Sequence, residues 1–256
     1  MDHPEVLPDV VRVLNEEGGS PFLLICEHAS SFIPSTYGGL GLDATELGRH
    51  IAWDIGAENV ARRLSQKLDA ALVLAGYSRL LIDLNRPPGS PGAIPAISES
   101  TVIPGNQNLD AAARQQRIDR YFMPFQSRVA SLLDARQAAG RPTAVVGIHS
   151  FTPVYKGVSR PMHGGILFRK SVDFGRALAG ALGGPRGHVV ENQPYHIEDD
   201  GDYTVPVHGE ARGLDALLIE MRQDLVAADT GAEAWAGRLA GALTACATRI
   251  SLPPPR

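Results

Sequence analysis

The 256-residue sequence predicts a single α/β domain over residues 1–256, with a mixed, mostly parallel sheet covered by helices on both faces. Three observations point there. Short continuous apolar runs such as Phe22–Cys26 and residues 144–148 lack polar alternation, so they read as strands buried on both faces. Segments with helical apolar spacing separate these runs. No internal repeat, low-complexity tract or linker-like stretch divides the chain.

Phe22–Cys26 follows Gly-Gly-Ser-Pro and ends abruptly in Glu27-His28. From Leu47 to Leu68 apolar residues recur about every four positions after Asp43 and Glu46, which predicts a helix with a potential break at Gly56. Residues 72–74 and 80–82 read as two strands joined by a turn at Gly76 to Arg79, and the second runs into Asp83-Leu-Asn-Arg86. Residues 87–108 are rich in Pro, Gly and Ser without periodicity, the signature of a long loop able to act as a lid. A helix over 110–139 stops at Gly140, and the strand 144–148 ends on His149. A strand over 164–168, an Ala-rich helix over Val172–Leu182 and an irregular stretch over 183–213 follow. The last strand, 216–219, ends on Glu220, and a helix over 232–250 leads to a Pro-rich tail.

Composition excludes several classes. A formal net charge of -4 gives no positive field for sequence-independent phosphate binding, so nucleic acid is not an expected partner. Cys26 and Cys246 have no C-x-x-C spacing, which rules out a disulfide framework and a thiolate zinc knuckle and suits a reducing compartment. The acidic N-terminal segment lacks the basic start and apolar run of a signal peptide, and no apolar stretch approaches a membrane span of roughly 18 residues. The expectation is a cytoplasmic protein with a small-molecule substrate; a homo-oligomer is compatible with the sequence.

In open α/β sheets ligands sit beyond the carboxyl ends of the strands. Four strands here run out into polar residues: Glu27-His28, Asp83 to Arg86, His149-Ser150 and Glu220-Met-Arg222. Two strand-end histidines in a cysteine-poor chain have the makings of a catalytic zinc site, which takes about three N/O ligands and keeps one position open. A carboxylate is the expected third ligand, with Glu27, Asp54 and Asp83 as candidates. Asp54 lies on the core side of a straight helix, or else caps a new helix starting at Ile55 with Glu58 in the capping-box position. Glu27 points away from His28 on a continuing strand and is the poorer partner. Glu220 makes sense as a general base for an activated water, against the bland alternative of an ion pair with Arg222. Arg79, Asn85 and Arg86 offer forks and amide donors for carboxylates, against the alternative of a structural ion-pair network. Ser150 and Arg222 complete the expected substrate-binding set.

The run Tyr77-Ser-Arg-Leu-Leu-Ile-Asp-Leu-Asn-Arg-Pro87 carries the most specific pattern, Ser-Arg-x-x-x-Asp-x-Asn-Arg-Pro. With Glu27-His-Ala-Ser30, Gly147-Ile-His-Ser150 and Leu218-Ile-Glu-Met-Arg222, it resembles the N-formylglutamate amidohydrolase family over about residues 22–228. The resemblance implies the phosphorylase/hydrolase-like fold shared with zinc carboxypeptidases. It also implies a zinc ion, or another divalent transition metal, on His28, Asp54 and His149, with Glu220 as base and Asn85-Arg86 as a carboxylate grip. Zinc carboxypeptidases use a His-x-x-Glu pair, whereas Ser31 stands three after His28 here, so Asp54 takes that ligand's place. The implied activity is hydrolysis of the amide of a small N-acyl, in particular N-formyl, amino acid of the kind met in histidine degradation. The contrasting expectation is a non-catalytic α/β protein that binds an acylamino acid as a sensor. The segment Asn192 to His196, with Tyr203 and His208, is a candidate wall or oxyanion donor, and His163 and His188 read as structural.

Overall fold

The computed structural model describes residues 5–183, 188–198 and 201–250; the Pro-rich tail lies outside them. In chain order its strands are β1 (Val11–Leu14), β2 (Phe22–Cys26), β3 (Ala71–Ala75), β4 (Ile97–Ser98), β5 (Thr101–Val102), β6 (Ala144–Phe151), β7 (Val154–Tyr155), β8 (Val158–Ser159), β9 (Gly164–Leu167), β10 (Val189–Glu191) and β11 (Asp215–Arg222). The helices are α1 (Ala44–Leu47), α2 (Ala57–Leu68), α3 (Ala111–Arg117), α4 (Met123–Ala138), α5 (Val172–Leu182) and α6 (Asp229–Cys246). Seven strands form one sheet in the order β1-β3-β2-β6-β11-β9-β10. The pairs β2/β3, β2/β6, β6/β11 and β9/β10 are parallel, while β1/β3 and β9/β11 are antiparallel. This is the expected α/β class with a mixed, mostly parallel sheet.

The strand period of two sorts the core into two layers. Leu24, Leu72, Val146, Ile148, Leu217 and Ile219 face α2, α5 and α6 on one side. Leu23, Ile25, Val73, Val145 and Leu218 face α4 and the loops after β3 on the other, where Tyr121, Phe125 and Val129 fill the gap. Every residue of β2, β3 and β6 is buried, which is why these strands read as unbroken apolar runs.

Several expected elements differ. The helix over 47–68 is broken: α1 is a single turn, α2 begins only at Ala57, and Gly56 precedes it at φ 82°. A side chain at Gly56 would come within 2.4 Å of the Val226 carbonyl oxygen, so the chain closes onto β11's following loop only because Gly stands there. Residues 80–82 are a turn instead of a strand, because Ser78 N–H donates to Phe32 O and Leu81 N–H to Ser78 O, coiling the segment over the sheet's end. Its apolar side chains are nonetheless fully buried, which is what the sequence displays. The helix expected over 110–139 carries a π-helical turn at Ile118–Phe122, before Pro124, whose ring cannot donate to the ladder. Strands β1 and β10 were not expected; both are edge strands of only four and three residues. The loop 87–108 contains the short hairpin β4/β5.

Candidate metal centre and active site

Three parallel strands, β2, β6 and β11, and the loop after β3 deliver their carboxyl ends to one cavity of about 360 Å³. His28 enters from the turn after β2, Asp54 from the turn before α2, and His149 and Glu220 lie side by side as a register pair on β6 and β11. On β11 Glu220 falls between Ile219 and Met221, which face the helical layer, so its carboxylate points to the opposite, cavity side.

Asp54 is the hub. Its backbone N–H donates to the His28 carbonyl at 2.9 Å and its own carbonyl accepts from Ala57 N–H at 3.1 Å, so the turn is pinned at both ends. Oδ2 lies 3.3 Å from His28 Nδ1 and 3.0 Å from His149 Nδ1, and accepts from Ser150 N–H at 3.2 Å. It is therefore neither the face of a straight helix nor a helix cap, since α2 begins after Gly56 without a side-chain cap. The break that removed it from the helix is what lets it reach both imidazoles.

One ligand atom from each of His28, Asp54 and His149 falls within 4.8 Å of the others, and all three residues are buried. Two nitrogens and one carboxylate oxygen match the donor set of a catalytic zinc site with an open position. The far side of each ring supports the fit. His28 Nε2 faces Asp83 Oδ1 at 2.8 Å, and His149 Nε2 faces Glu27 Oε2 at 3.2 Å. A carboxylate thus lies behind each ring with Nδ1 forward, hydrogen-bonded to His28 and at ion-pair distance from His149, the arrangement that metal-ligating histidines commonly show. Here the expectation for Glu27 is corrected: β2 ends at Cys26 and the chain turns at once, so Glu27 does not point away but packs behind His149, held by the Thr204 hydroxyl. Charges agree with this arrangement. Burial would raise the carboxyl pKa values of Asp54, Asp83 and Glu27, yet the histidines, and for Asp83 also Arg79, hold all three below their ordinary values. Conversely, burial would lower both histidines, but the carboxylates raise them. The carboxylates thus favour positive charge at the two rings, a proton or, in its place, a metal ion.

Glu220 behaves differently. Its carboxyl is pushed up to about 7, chiefly by burial and further by Asp54, with His149, His28 and Arg79 pulling the other way. Its Oε2 is buried without a hydrogen-bond partner among the described residues. A buried carboxylate of near-neutral pKa with a free oxygen on a cavity wall is suited to proton transfer.

The remaining expected site residues divide. Arg79 lines the cavity, but Nη2 donates to Asp83 Oδ2 at 2.5 Å and Nη1 lies 3.5 Å from Asp54 Oδ1. Asn85 lines it too, with its amide engaged: Oδ1 accepts from Tyr203 and Thr204 N–H at 3.1 and 2.9 Å, and Nδ2 donates to Asp202 at 3.2 Å. Arg86 lines the cavity with one nitrogen 3.6 Å from Asp202 Oδ1. Ser150 donates its hydroxyl to the Ile55 carbonyl at 2.8 Å, bracing the Asp54 turn. Arg222 is not brought to the cavity; it pairs with Asp224 at 2.8 Å and with the Pro161 carbonyl at 3.1 Å. Tyr195 and His196 line the cavity, whereas His208 is bonded to Gln126 at 2.7 Å in the core. The rings of His163 and His188 stack on each other at 5.3 Å. Sequence reasoning passed over His50, Glu99 and Tyr155, which line the cavity from segments with no motif of their own.

Fold and site together define an α/β protein with a candidate metal centre of two histidines and an aspartate beside a buried glutamate. The family model described as N-formylglutamate amidohydrolase matches residues 20–227, and the chain belongs to that family. Among solved structures, the product Atu2144 from Agrobacterium tumefaciens is 43% identical, with a TM-score of 0.91 over 94% of this chain and 96% of its own. An N-formylglutamate amidohydrolase from Ralstonia eutropha JMP134 shares the fold at 17% identity, with a TM-score of 0.69 over 94% and 97% of the two chains. Comparison with curated proteins finds no match. No helix among the described residues is long and apolar enough to cross a membrane.

Proposed function

We propose that this chain hydrolyses the amide bond of a small N-acylamino acid, with an N-formylamino acid such as N-formylglutamate as the leading substrate. The observation that carries the reading is the convergence of His28, Asp54 and His149 beside Glu220 in a single cavity that also holds Arg86. A zinc ion held by those three residues would supply Lewis acidity to the scissile carbonyl and acidify a water molecule. Glu220 is placed to take a proton from the attacking water and to hand it to the leaving nitrogen, and its raised pKa sets it near neutrality for both transfers. Arg86 pairs with the substrate's α-carboxylate and thereby sets the carbonyl over the centre. Asn85 shapes that grip indirectly by holding Asp202, Tyr203 and Thr204 in place.

The test is elemental analysis of the purified protein together with a screen of formyl, acetyl and succinyl derivatives of acidic and neutral amino acids. One divalent ion per chain and turnover abolished by a chelator are expected. Glu220→Gln is expected to keep the metal and the substrate affinity while losing about 10²–10⁴ in kcat, the usual range of general acid-base catalysis. Tight binding of an acylamino acid without turnover in the metal-loaded wild type would instead identify a binding protein.

A further inference from the structure

Two guanidinium groups line the cavity among the described residues, those of Arg79 and Arg86. Arg79 is closed on Asp83 and Asp54, which leaves Arg86 for a substrate carboxylate. Arg86 already has a companion. Its Nη1 stands 3.6 Å from Oδ1 of Asp202, a residue that lines the same cavity and is only 8% exposed. Asp202 is not free to swing aside. Its Oδ1 accepts from Asn85 Nδ2 at 3.2 Å, its Oδ2 accepts from Glu198 N–H at 3.0 Å, and its own N–H donates to the Glu198 carbonyl at 3.0 Å. A β-carbon at Gly201 would lie 3.3 Å from Arg86 Nη1, so the backbone beside Asp202 is pressed against the same guanidinium.

A guanidinium is one planar fork, and a second carboxylate that pairs with it stands within roughly 8 Å of the first. The substrate's α-carboxylate on Arg86 therefore arrives beside a fixed carboxylate of the protein. Bulk water screens such a buried pair poorly, and two carboxylates around one site hold a proton more readily than either does alone. Asp202 is the member of the pair prepared to take it. Burial raises its carboxyl above the ordinary value and Asp83 adds to this, while Glu198 N–H, Arg86 and His149 pull the other way. A substrate that shares Arg86 weakens part of that opposing pull. Glu198, the neighbouring acid on the cavity wall, is exposed, and solvent screens its charge.

We infer that Asp202 takes up a proton as the substrate's α-carboxylate settles on Arg86, so that the site recognises the acid together with a proton. This rests on the proposed grip of Arg86 in the hydrolase reading and makes Asp202 the residue that sets how carboxylate binding depends on pH. The bound state holds more protons than the free one, so affinity for the acid falls as the pH rises.

The test compares N-formylglutamate with its α-carboxamide, which lacks only the charge that would reach Arg86. Both are titrated calorimetrically into the metal-loaded Glu220→Gln protein at about pH 6, in buffers of different ionisation enthalpy, which counts the protons taken up per ligand bound. The acid is expected to bring roughly 0.5–1 proton more than the amide, and its Kd to rise by up to about tenfold per pH unit between about pH 5 and 8, while that of the amide changes less. Asp202→Asn should abolish the acid-specific uptake and flatten the pH dependence of the acid to that of the amide. Equal proton counts for acid and amide would overturn the inference whatever the fate of the Asp202 variant, and so would an acid-specific uptake that survives Asp202→Asn. Turnover by the wild type alongside equal counts would leave the hydrolase reading intact. Acid-specific uptake that depends on Asp202, in a wild type that hydrolyses neither compound, would keep the role of Asp202 and sink the hydrolase. Neither binding nor hydrolysis of the pair would remove both.

Discussion

Glu27 and Asp83 show how much of this centre lies behind the residues that would touch a metal. Each is a fully buried carboxylate facing the rear nitrogen of a candidate ligand, and each is tied down in turn, Glu27 by Thr204 and Asp83 by Arg79. Such rear contacts fix the tautomer and the ring plane, and their loss costs metal proteins about 10–100-fold in metal affinity. Glu27→Gln keeps the volume and a hydrogen-bonding group for Thr204 but removes the charge behind His149. It should weaken zinc binding by about that factor, as read by competition with a chelator, while the far-ultraviolet circular dichroism stays unchanged. Undiminished affinity would reduce Glu27 to a support for the β2 turn. Asp83→Asn should cost more in stability, because it also leaves the partly buried Arg79 guanidinium with Asp54 as its one remaining carboxylate among the described residues.

At the scale of elements, the decisive feature is the break between α1 and α2. Gly56 stands at φ 82°, and a β-carbon there would lie 2.4 Å from the Val226 carbonyl oxygen and 2.9 Å from the Val226 side chain. Gly56→Ala should therefore destabilise the fold by about 1–3 kcal/mol, combining left-handed strain with displacement of backbone that cannot yield. The same change should raise the metal's dissociation rate, since Asp54 is only two residues away on the pinned turn. Denaturant midpoints and chelator-driven release kinetics measure the two effects separately. A variant that loses stability without loosening the metal would uncouple the turn from the centre. In the sequence this break is signalled only by Gly56, and not by the turn of residues 48–55 that precedes it. Buried strands such as β2 and β6 are plain, because every position is apolar up to the polar strand end, and those ends mark His28, His149 and Glu220, which share one cavity. Helical periodicity ran straight through residues 47–68, because Ile51 and Ala52 are buried in the turn as they would be on a helix face. Residues 80–82 misled in the same way, being buried by loop packing and not by a ladder.

The whole molecule sets charge against burial in two opposite ways, and the second is testable through acid stability. Around the metal centre, carboxylates and imidazoles stabilise each other's charged forms. His208 is the reverse: it is buried between α4 and the sheet, its Nε2–H donates to Gln126 Oε1 at 2.7 Å, and its pKa is pushed down from 6.5 to about 4, first by burial and then by Arg212, with Glu27 pulling the other way. In the fold it stays neutral, while in the unfolded chain it takes up a proton below pH 6.5. Because the unfolded state binds more protons in that window, its contribution to stability is complete above about pH 6.5 and is lost progressively as the pH falls towards 4. Linkage puts the loss at up to about 3 kcal/mol across that range. His208→Gln cannot ionise and can still donate to Gln126, so the stability gap between wild type and variant should narrow or reverse on acidification. The candidate ligand cluster is common to both proteins, so its own titration cancels in the difference except for Glu27, which also acts on His208. Denaturant titrations of the two chelator-treated proteins at steps between pH 7.5 and 4.5 measure it, and a gap independent of pH would mean that His208 is hydrated in solution and carries no such load.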